Sequence, residues 1–250
     1  EKKHRFHLKM PQKGRKHSVK KRIAYTFIAT MAATLLIIGL INYFFLGSFY
    51  IRDKEHILAE SFQKLNATGG VGLLYGVLLP SGADACETLA RAVGGSEEGF
   101  VAMMNQKAEE LGLTNTHFEN CTGLHNDNHY STCRDIAVLM SECLKSDTFR
   151  EIVTREVYTT EATASHPEGI TLYDTMLHRF TSYEMSTTLE NGAVIEGGKT
   201  GFTDEAGQCL VSFAEYGGEE YILVTAEAMT DSGSAVDSIA DASTVYGRLQ

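Results

Sequence analysis

Lys199, Thr200 and Gly201 bring together a cation, a hydroxyl and a position with no side chain. An ammonium can hold a carboxylate, and a flanking glycine lets a substrate backbone approach closely. Ser81 supplies a second hydroxyl, on the Pro80-Ser81-Gly82 bend at the mouth of a helix. Its position alone makes it a helix cap; its chemistry also suits a catalyst. His125, Asp127 and His129 could be drawn as metal ligands. They sit in a polar loop with no third ligand at a recognised spacing, so no metal and no cofactor is assigned. The five cysteines (86, 121, 133, 143 and 209) contain no Cys-x-x-Cys. Their odd number forbids complete internal pairing, and connectivity cannot be deduced from spacing. Cys133 and Cys143 fall in a helical pattern and read as small core residues.

The elements that must position these groups are legible from residue 71 onward. Leu73, Leu74, Val77 and Leu78 form an apolar helical face that Pro80 ends. A helix over 84–93 follows the Ser81 bend. Ser96 can cap another, with Glu97 and Glu98 in its first turn and Gly112 past its end. Thr132 and Asp135 make a capping-box-like start for a third, through about Lys145. Beyond residue 155 the period shifts towards two. Strands are expected at 156–161, 170–174, 193–196, 208–215 and 220–229, with Tyr216-Gly217-Gly218 turning a hairpin and a helix at 235–247. This order predicts an α+β fold with helices against an antiparallel sheet.

Four runs carry a resemblance: LLYGVLLPSGADACETLA, GSEEGFVAMMNQKAEELGLTNTHFENCTGL, HYSTCRDIAVLM and GGKTGFTDEAGQCLVSFA. In order and spacing, over residues 71 to about 230, they resemble the D-alanyl-D-alanine carboxypeptidases, the low-molecular-mass penicillin-binding proteins of the serine peptidase class. The resemblance implies a β-lactamase/transpeptidase-like fold and removal of the terminal D-Ala from peptidoglycan stem peptides through an acyl-enzyme. It implies that Lys199, Thr200 and Gly201 bind the substrate's terminal carboxylate, with Lys199 also catalytic, and that Ser81 relays a proton to the leaving amine. β-Lactams are implied as further ligands.

Two departures stand out. The family's Ser-x-Asn motif is here Ser81-Gly82-Ala83, and an alanine cannot hydrogen-bond a substrate amide. The Ser-x-x-Lys that carries the family's nucleophile is not found at its usual distance upstream. Only Ser18–Lys21 and Ser61–Lys64 have the spacing, and Ser61 stands about twenty residues before Ser81 where the family has sixty or more. The expected fold is therefore incomplete on its N-terminal side, and the chain is expected to be inactive alone, since without an activated nucleophile no acyl-enzyme forms. The alternative is a non-catalytic membrane-anchored module that binds D-Ala-D-Ala ends or β-lactams, with signalling as its use.

Charge divides the 250 residues, whose formal net charge is −10. Residues 1–22 hold ten of the 22 Lys and Arg against the single acid Glu1, leaving 12 bases and 31 acids beyond. That acidic remainder excludes nucleic acid as its partner. Residues 23–51 carry no charge, and a bilayer core needs roughly 20 apolar residues. The reading is a basic cytoplasmic tail (1–22), a transmembrane helix (23–51), a juxtamembrane helix or linker (52–70) and a partial carboxypeptidase domain (71–250). The positive-inside rule puts the last outside the cell membrane. The tail, span and linker weakly resemble the front end of a sensor kinase.

Overall fold

The computed structural model describes residue 31, residues 70–228 and residues 236–250. The basic tail, the span over 23–51, the segment 52–69 and both Ser-x-x-Lys pairs lie outside these, apart from Met31. Among the described residues no helix is long and apolar enough to cross a membrane. The fold described below belongs to the unit Glu60–Gln250.

Seven helices and five strands are described: α1 (Gly70–Leu78), α2 (Ala83–Gly94), α3 (Glu97–Glu110), α4 (Cys133–Cys143), α5 (Asp147–Val153), β1 (Val157–Thr159), β2 (Thr171–Tyr173), α6 (Leu177–Ser182), β3 (Val194–Thr203), β4 (Gly207–Tyr216), β5 (Glu219–Ala228) and α7 (Asp237–Tyr246). The long strands form an antiparallel sheet in the order β3-β4-β5, while β1 and β2 pair separately. The α+β expectation holds at this level. The strands expected at 156–161 and 170–174 are shorter and stand apart from the main sheet. That at 193–196 continues through residue 203, so Lys199, Thr200 and Gly201 lie within a strand rather than after one. Gly217 and Gly218, with φ of 64° and 85°, make the β4–β5 turn, a conformation in which a Cβ would be strained.

β4 is central because both its faces are apolar. Leu210 and Ala214 point to one side with Ile195, Met176, Phe180, Ile239 and Ala242. Phe213 and Val211 point to the other, against Met140, Leu144 and Val153 from α4 and α5. The alternation is the period-two signature of a strand buried on both faces. Ser212, fully buried on the α7 side, is satisfied by Tyr246, whose Oη donates to the Ser212 carbonyl at 2.9 Å. Burial pushes the Tyr246 phenol up to about 12, so it stays protonated as that donor.

Caps agree with the sequence where the residue type does the work directly. Ser96 Oγ accepts from Gly99 N–H at 3.1 Å, and Thr132 Oγ1 from Asp135 N–H at 3.1 Å. The second half of the box at Thr132 is not made. Asp135 is buried and its Oδ2 instead accepts from Asn115 N–H and Thr116 Oγ1, tying α4 to the preceding loop. Cys133 is the first residue of α4 and is exposed rather than in the core, the helix burying Asp135 and Met140 further along; Cys143 is half-buried. α1 buries Tyr75 rather than the middle of its expected leucine face, with the ring stacked on Tyr158 at 3.6 Å between centroids. Helices α5 and α6, of seven and six residues, have no counterpart in the sequence reading.

Candidate active site

The site is a corner where three segments meet. α1 ends at Leu78 before Pro80, and the chain turns at Ser81 and Gly82 into α2, with Gly82 N–H bonded to the Gly76 carbonyl at 2.9 Å. The segment after β2 is held alongside by Thr175 N–H, which donates to the Leu79 carbonyl at 3.1 Å. The third segment is β3. On it Lys199 pairs with Val211, Thr200 with Leu210 and Gly201 with Cys209, while its other edge has no strand partner among the described residues.

Ser81 does not cap α2. Gly82 occupies the cap position without a side-chain hydrogen bond, and Ser81 sits at φ 60°, left-handed backbone that a non-glycine residue rarely adopts. Its hydroxyl is turned to Lys199 instead, whose Nζ donates to Ser81 Oγ and, at 2.9 Å, to the Thr200 carbonyl. The two groups singled out at opposite ends of the domain, 118 residues apart in sequence, thus touch. Strained backbone at a hydroxyl–ammonium pair is an arrangement that packing alone has no reason to favour.

Burial pushes the Lys199 ammonium below its ordinary range; the negative charge of Asp174 opposes this and Arg179 adds to it. Asp174 is buried, 1% exposed. Its Oδ1 accepts from Met176 N–H at 2.8 Å and Leu177 N–H at 2.7 Å, while its buried Oδ2 has no hydrogen-bond partner. Burial raises this carboxyl to about 6, against the backbone hydrogen bonds and the positive charges of Lys199 and Arg179. Thr200 Oγ1 lies 2.6 Å from Thr175 Oγ1. A terminal carboxylate could therefore meet an ammonium and two linked hydroxyls along one strand edge.

The glycines of β3 serve different ends. A Cβ on Gly198 would meet the Val211 carbonyl oxygen at 2.4 Å and Met176 Sδ at 2.8 Å; one on Gly197 would meet the Val153 carbonyl at 2.3 Å. Both are dictated by packing. At Gly201, by contrast, the nearest atom is Cys209 Cβ at 3.9 Å, and the residue is exposed. No neighbour in the fold demands a glycine there, which leaves the strand edge open to a ligand.

Asp174 and Thr175 were not among the residues singled out from sequence. The signal was an Asp placed three residues ahead of Leu177, a helix-cap spacing, but 170–174 reads as strand and α6 is too short to show a period. His125 stands between carboxylates, 3.3 Å from Asp127 Oδ1 and 3.7 Å from Glu205 Oε2, which sets its loop beside the β3–β4 turn. His129 contacts Phe118 and the Glu119 N–H instead. A groove of about 810 Å³ near the start of β3 is lined by Arg150, Leu177 and Met185 among others. Neither Ser81 nor residues 199–201 line it, so it is separate from the hydroxyl–ammonium pair.

Residues 53–230 match the peptidase S11 family, D-alanyl-D-alanine carboxypeptidase. The chain is 36% identical over 186 residues to the D-alanyl-D-alanine carboxypeptidase DacF of Bacillus subtilis (strain 168), covering 72% of this chain and 44% of that one. It is 38% identical over 156 residues to a D-alanyl-D-alanine carboxypeptidase of Streptomyces sp. (strain K15), covering 60% and 51%. The chain thus spans about half or less of these relatives' length. Among solved structures, the Streptomyces K15 DD-transpeptidase superposes with a TM-score of 0.58 at 32% identity, over 71% of this chain and 66% of that one. A D-alanyl-D-alanine carboxypeptidase from Mycobacterium tuberculosis H37Rv gives 0.57 at 27% identity, over 70% and 62%.

Proposed function

This chain belongs to the peptidase S11 family of D-alanyl-D-alanine carboxypeptidases, and from that premise we propose that residues 71–250 form the substrate-holding part of a serine-type D-Ala-D-Ala carboxypeptidase. The observation that carries the proposal is the contact between Lys199 Nζ and Ser81 Oγ beside an open strand edge. A peptide laid along β3 would put its terminal carboxylate against Lys199 and Thr200, a charge-assisted contact stronger than a neutral hydrogen bond. Gly201 leaves room for the peptide backbone. When the D-Ala amine departs, the Ser81 hydroxyl can give it a proton and regain one from Lys199, whose burial eases that loss. Asp174 opposes the loss, so the ammonium is still available to hold the carboxylate. Ala83 offers no amide to the substrate, which removes one contact.

The acylating nucleophile is not supplied by this corner. Among the described residues no Ser-x-x-Lys occurs, and Ser81 is committed to Lys199 as a proton relay. We read the chain as unable to form an acyl-enzyme alone. The position of the nearest Ser-x-x-Lys, Ser61–Lys64, only about twenty residues before Ser81 also favours a second reading, a module that binds D-Ala-D-Ala ends or β-lactams without cleaving them. On either reading the uncharged run 23–51, with ten Lys and Arg before it, serves as a single membrane anchor with the N-terminus in the cytoplasm and residues 71–250 outside. Protease accessibility of the two ends in intact cells tests that placement.

The functional test incubates the full chain with a pentapeptide ending in D-Ala-D-Ala and, separately, with a fluorescent penicillin. The reading predicts saturable binding with neither D-alanine release nor a covalent band. Release abolished by Ser61→Ala would overturn the inactivity and identify Ser61 as the nucleophile. No binding at all would remove the substrate-holding role.

A further inference from the structure

We propose that Cys86 and Cys121 are a disulfide-forming pair that clamps the helix start carrying Ser81 to the turn at 120–123. The inference stands on geometry outside the Ser81–Lys199 contact and does not depend on the peptidase reading. Cys86 lies in the first turn of α2, its N–H bonded to the Gly82 carbonyl at 3.0 Å, so it is rigidly linked to the residue that follows Ser81. Its Sγ donates to the Cys121 carbonyl at 2.8 Å.

Both partners are held before any bond forms. The turn around Cys121 is fastened by Asn120 Oδ1, which accepts from Thr122 N–H at 3.2 Å and Gly123 N–H at 2.7 Å. Cys121 N–H and Sγ–H both donate to Glu97 Oε1 at the start of α3, at 3.3 Å and 3.5 Å. A disulfide needs its two Cβ atoms close and suitably directed, and a Cys86 thiol already seated on the Cys121 carbonyl, between two ordered segments, brings the residues within reach of that geometry. The remaining cysteines do not compete. Cys133 and Cys143 sit at opposite ends of α4, roughly 15 Å apart at 1.5 Å per residue. Cys209 Sγ turns to the Ala206 carbonyl at 3.4 Å.

Closure is a two-electron oxidation and needs an acceptor, here a disulfide of the glutathione class. The Cys86 thiol loses its proton to solvent and its sulfur attacks one glutathione sulfur, breaking the glutathione S–S bond and expelling one glutathione. Cys121, deprotonated in turn, attacks Cys86 Sγ and expels the second. The protein loses two hydrogens, and one glutathione disulfide becomes two thiols. Burial and the neighbouring carboxylate hold both thiols up, Cys121 to about 12, so the folded pair is a slow nucleophile. The bond is therefore expected to close during folding and to act as a fixed clamp rather than a rapid switch.

The test refolds the full chain in a buffer of reduced and oxidised glutathione, blocks remaining thiols with N-ethylmaleimide, and digests with trypsin and Asp-N. Cleavage gives peptides 84–91 with Cys86, 108–126 with Cys121 and 127–134 with Cys133, so each partner is assigned separately. The expected result is a dominant link between 84–91 and 108–126, about 2 Da lighter than the two free peptides. Cys133, Cys143 and Cys209 should carry the maleimide. Random single pairing would give this link in roughly one case in ten. Reduction should lower the melting temperature of the oxidised chain by about 5–10 °C. In Cys86→Ser, Cys121 should become alkylated with no new pair. A near-random distribution, maleimide on both Cys86 and Cys121, or equal melting before and after reduction would each overturn the clamp.

Discussion

Helices α2 and α3 follow one another, and each begins beside a serine, yet the two serines are used in opposite ways. Ser96 has extended backbone at φ −153° and gives its hydroxyl to the helix it precedes. Ser81 is left-handed at φ 60°, gives its helix nothing, and meets Lys199 from a distant strand. A hydroxyl that satisfies an orphan helix N–H lowers the energy of the fold. One withheld from its helix and held in costly backbone leaves the fold less stable than it could be. The difference teaches where to look for function: at the corner where a residue departs from its local preference. Substitutions at the Ser81 corner should therefore act on ligands, and those at Ser96 on stability.

The largest effect that would sharpen this contrast is expected from Lys199→Ala. Losing a charge-assisted contact to a ligand carboxylate should weaken binding of a D-Ala-D-Ala peptide about 100-fold, near the upper end for such a contact. Isothermal titration calorimetry reads this directly. Because Lys199 is a desolvated cation, its removal should leave the melting temperature unchanged or raised. A variant that melts much earlier but binds normally would reverse the reading and make Lys199 a structural residue.

Next in size is a pH dependence seated behind Lys199. The Asp174 carboxyl is raised in the fold, to about 6, so the folded state binds a proton more tightly than the unfolded one. Its contribution to stability is fully present below the ordinary aspartate range and is lost as pH rises through about 6. The implied loss is at most about 3 kcal/mol. Asp174→Asn should abolish that slope and raise stability at pH 8 by about 1–2 kcal/mol, part of the gain being offset by a buried amide N–H₂ without a partner. Denaturant midpoints at pH 4, 6 and 8 measure it. An unchanged slope would locate the titration elsewhere.

Most of what the sequence made legible at this corner was chemistry, and most of what it hid was conformation. Lys199, Thr200, Gly201 and Ser81 stood out because ammonium, hydroxyl and glycine are recognisable residue by residue. Nothing local to Pro80-Ser81-Gly82 distinguishes a capping serine from one twisted towards a strand 118 residues away; the decision is tertiary. The same holds for β3. Its apolar start at 193–196 is readable, whereas the continuation through Gly197, Gly198 and the tripeptide is imposed by pairing with β4, since glycines have little strand preference of their own. Asp174 was lost because its helix is six residues long, too few for a period. The caps at Ser96 and Thr132 were legible because a cap is a contact between residues three apart.

On the other side of the comparison, Ser96→Ala should cost about 1 kcal/mol of stability, the usual loss when a capping hydroxyl is removed. Ligand binding at the Ser81 corner should be unaltered. Urea unfolding together with a titration of the same peptide checks both. A loss of binding in this variant would mean that α3 transmits its position to the site, for which Glu97, bonded to Cys121, is the available link.

The smallest effect is the most discriminating, because the two serines should differ in sign. Ser81→Gly removes the Cβ that makes left-handed backbone costly by roughly 1–2 kcal/mol, while adding freedom to the unfolded chain that offsets about half of this. A net gain of about 0.5 kcal/mol is expected, together with loss of the hydroxyl that meets Lys199. Ser96→Gly has no such strain to relieve, since its backbone is extended. It should lose a few tenths of a kcal/mol, because glycine is itself a tolerable cap. Paired thermal melts of the two variants resolve the signs. If Ser81→Gly falls in stability as Ser96→Gly does, the hydrogen bond to Lys199 is holding the fold together, and the left-handed serine is a structural joint rather than a group set aside for a ligand.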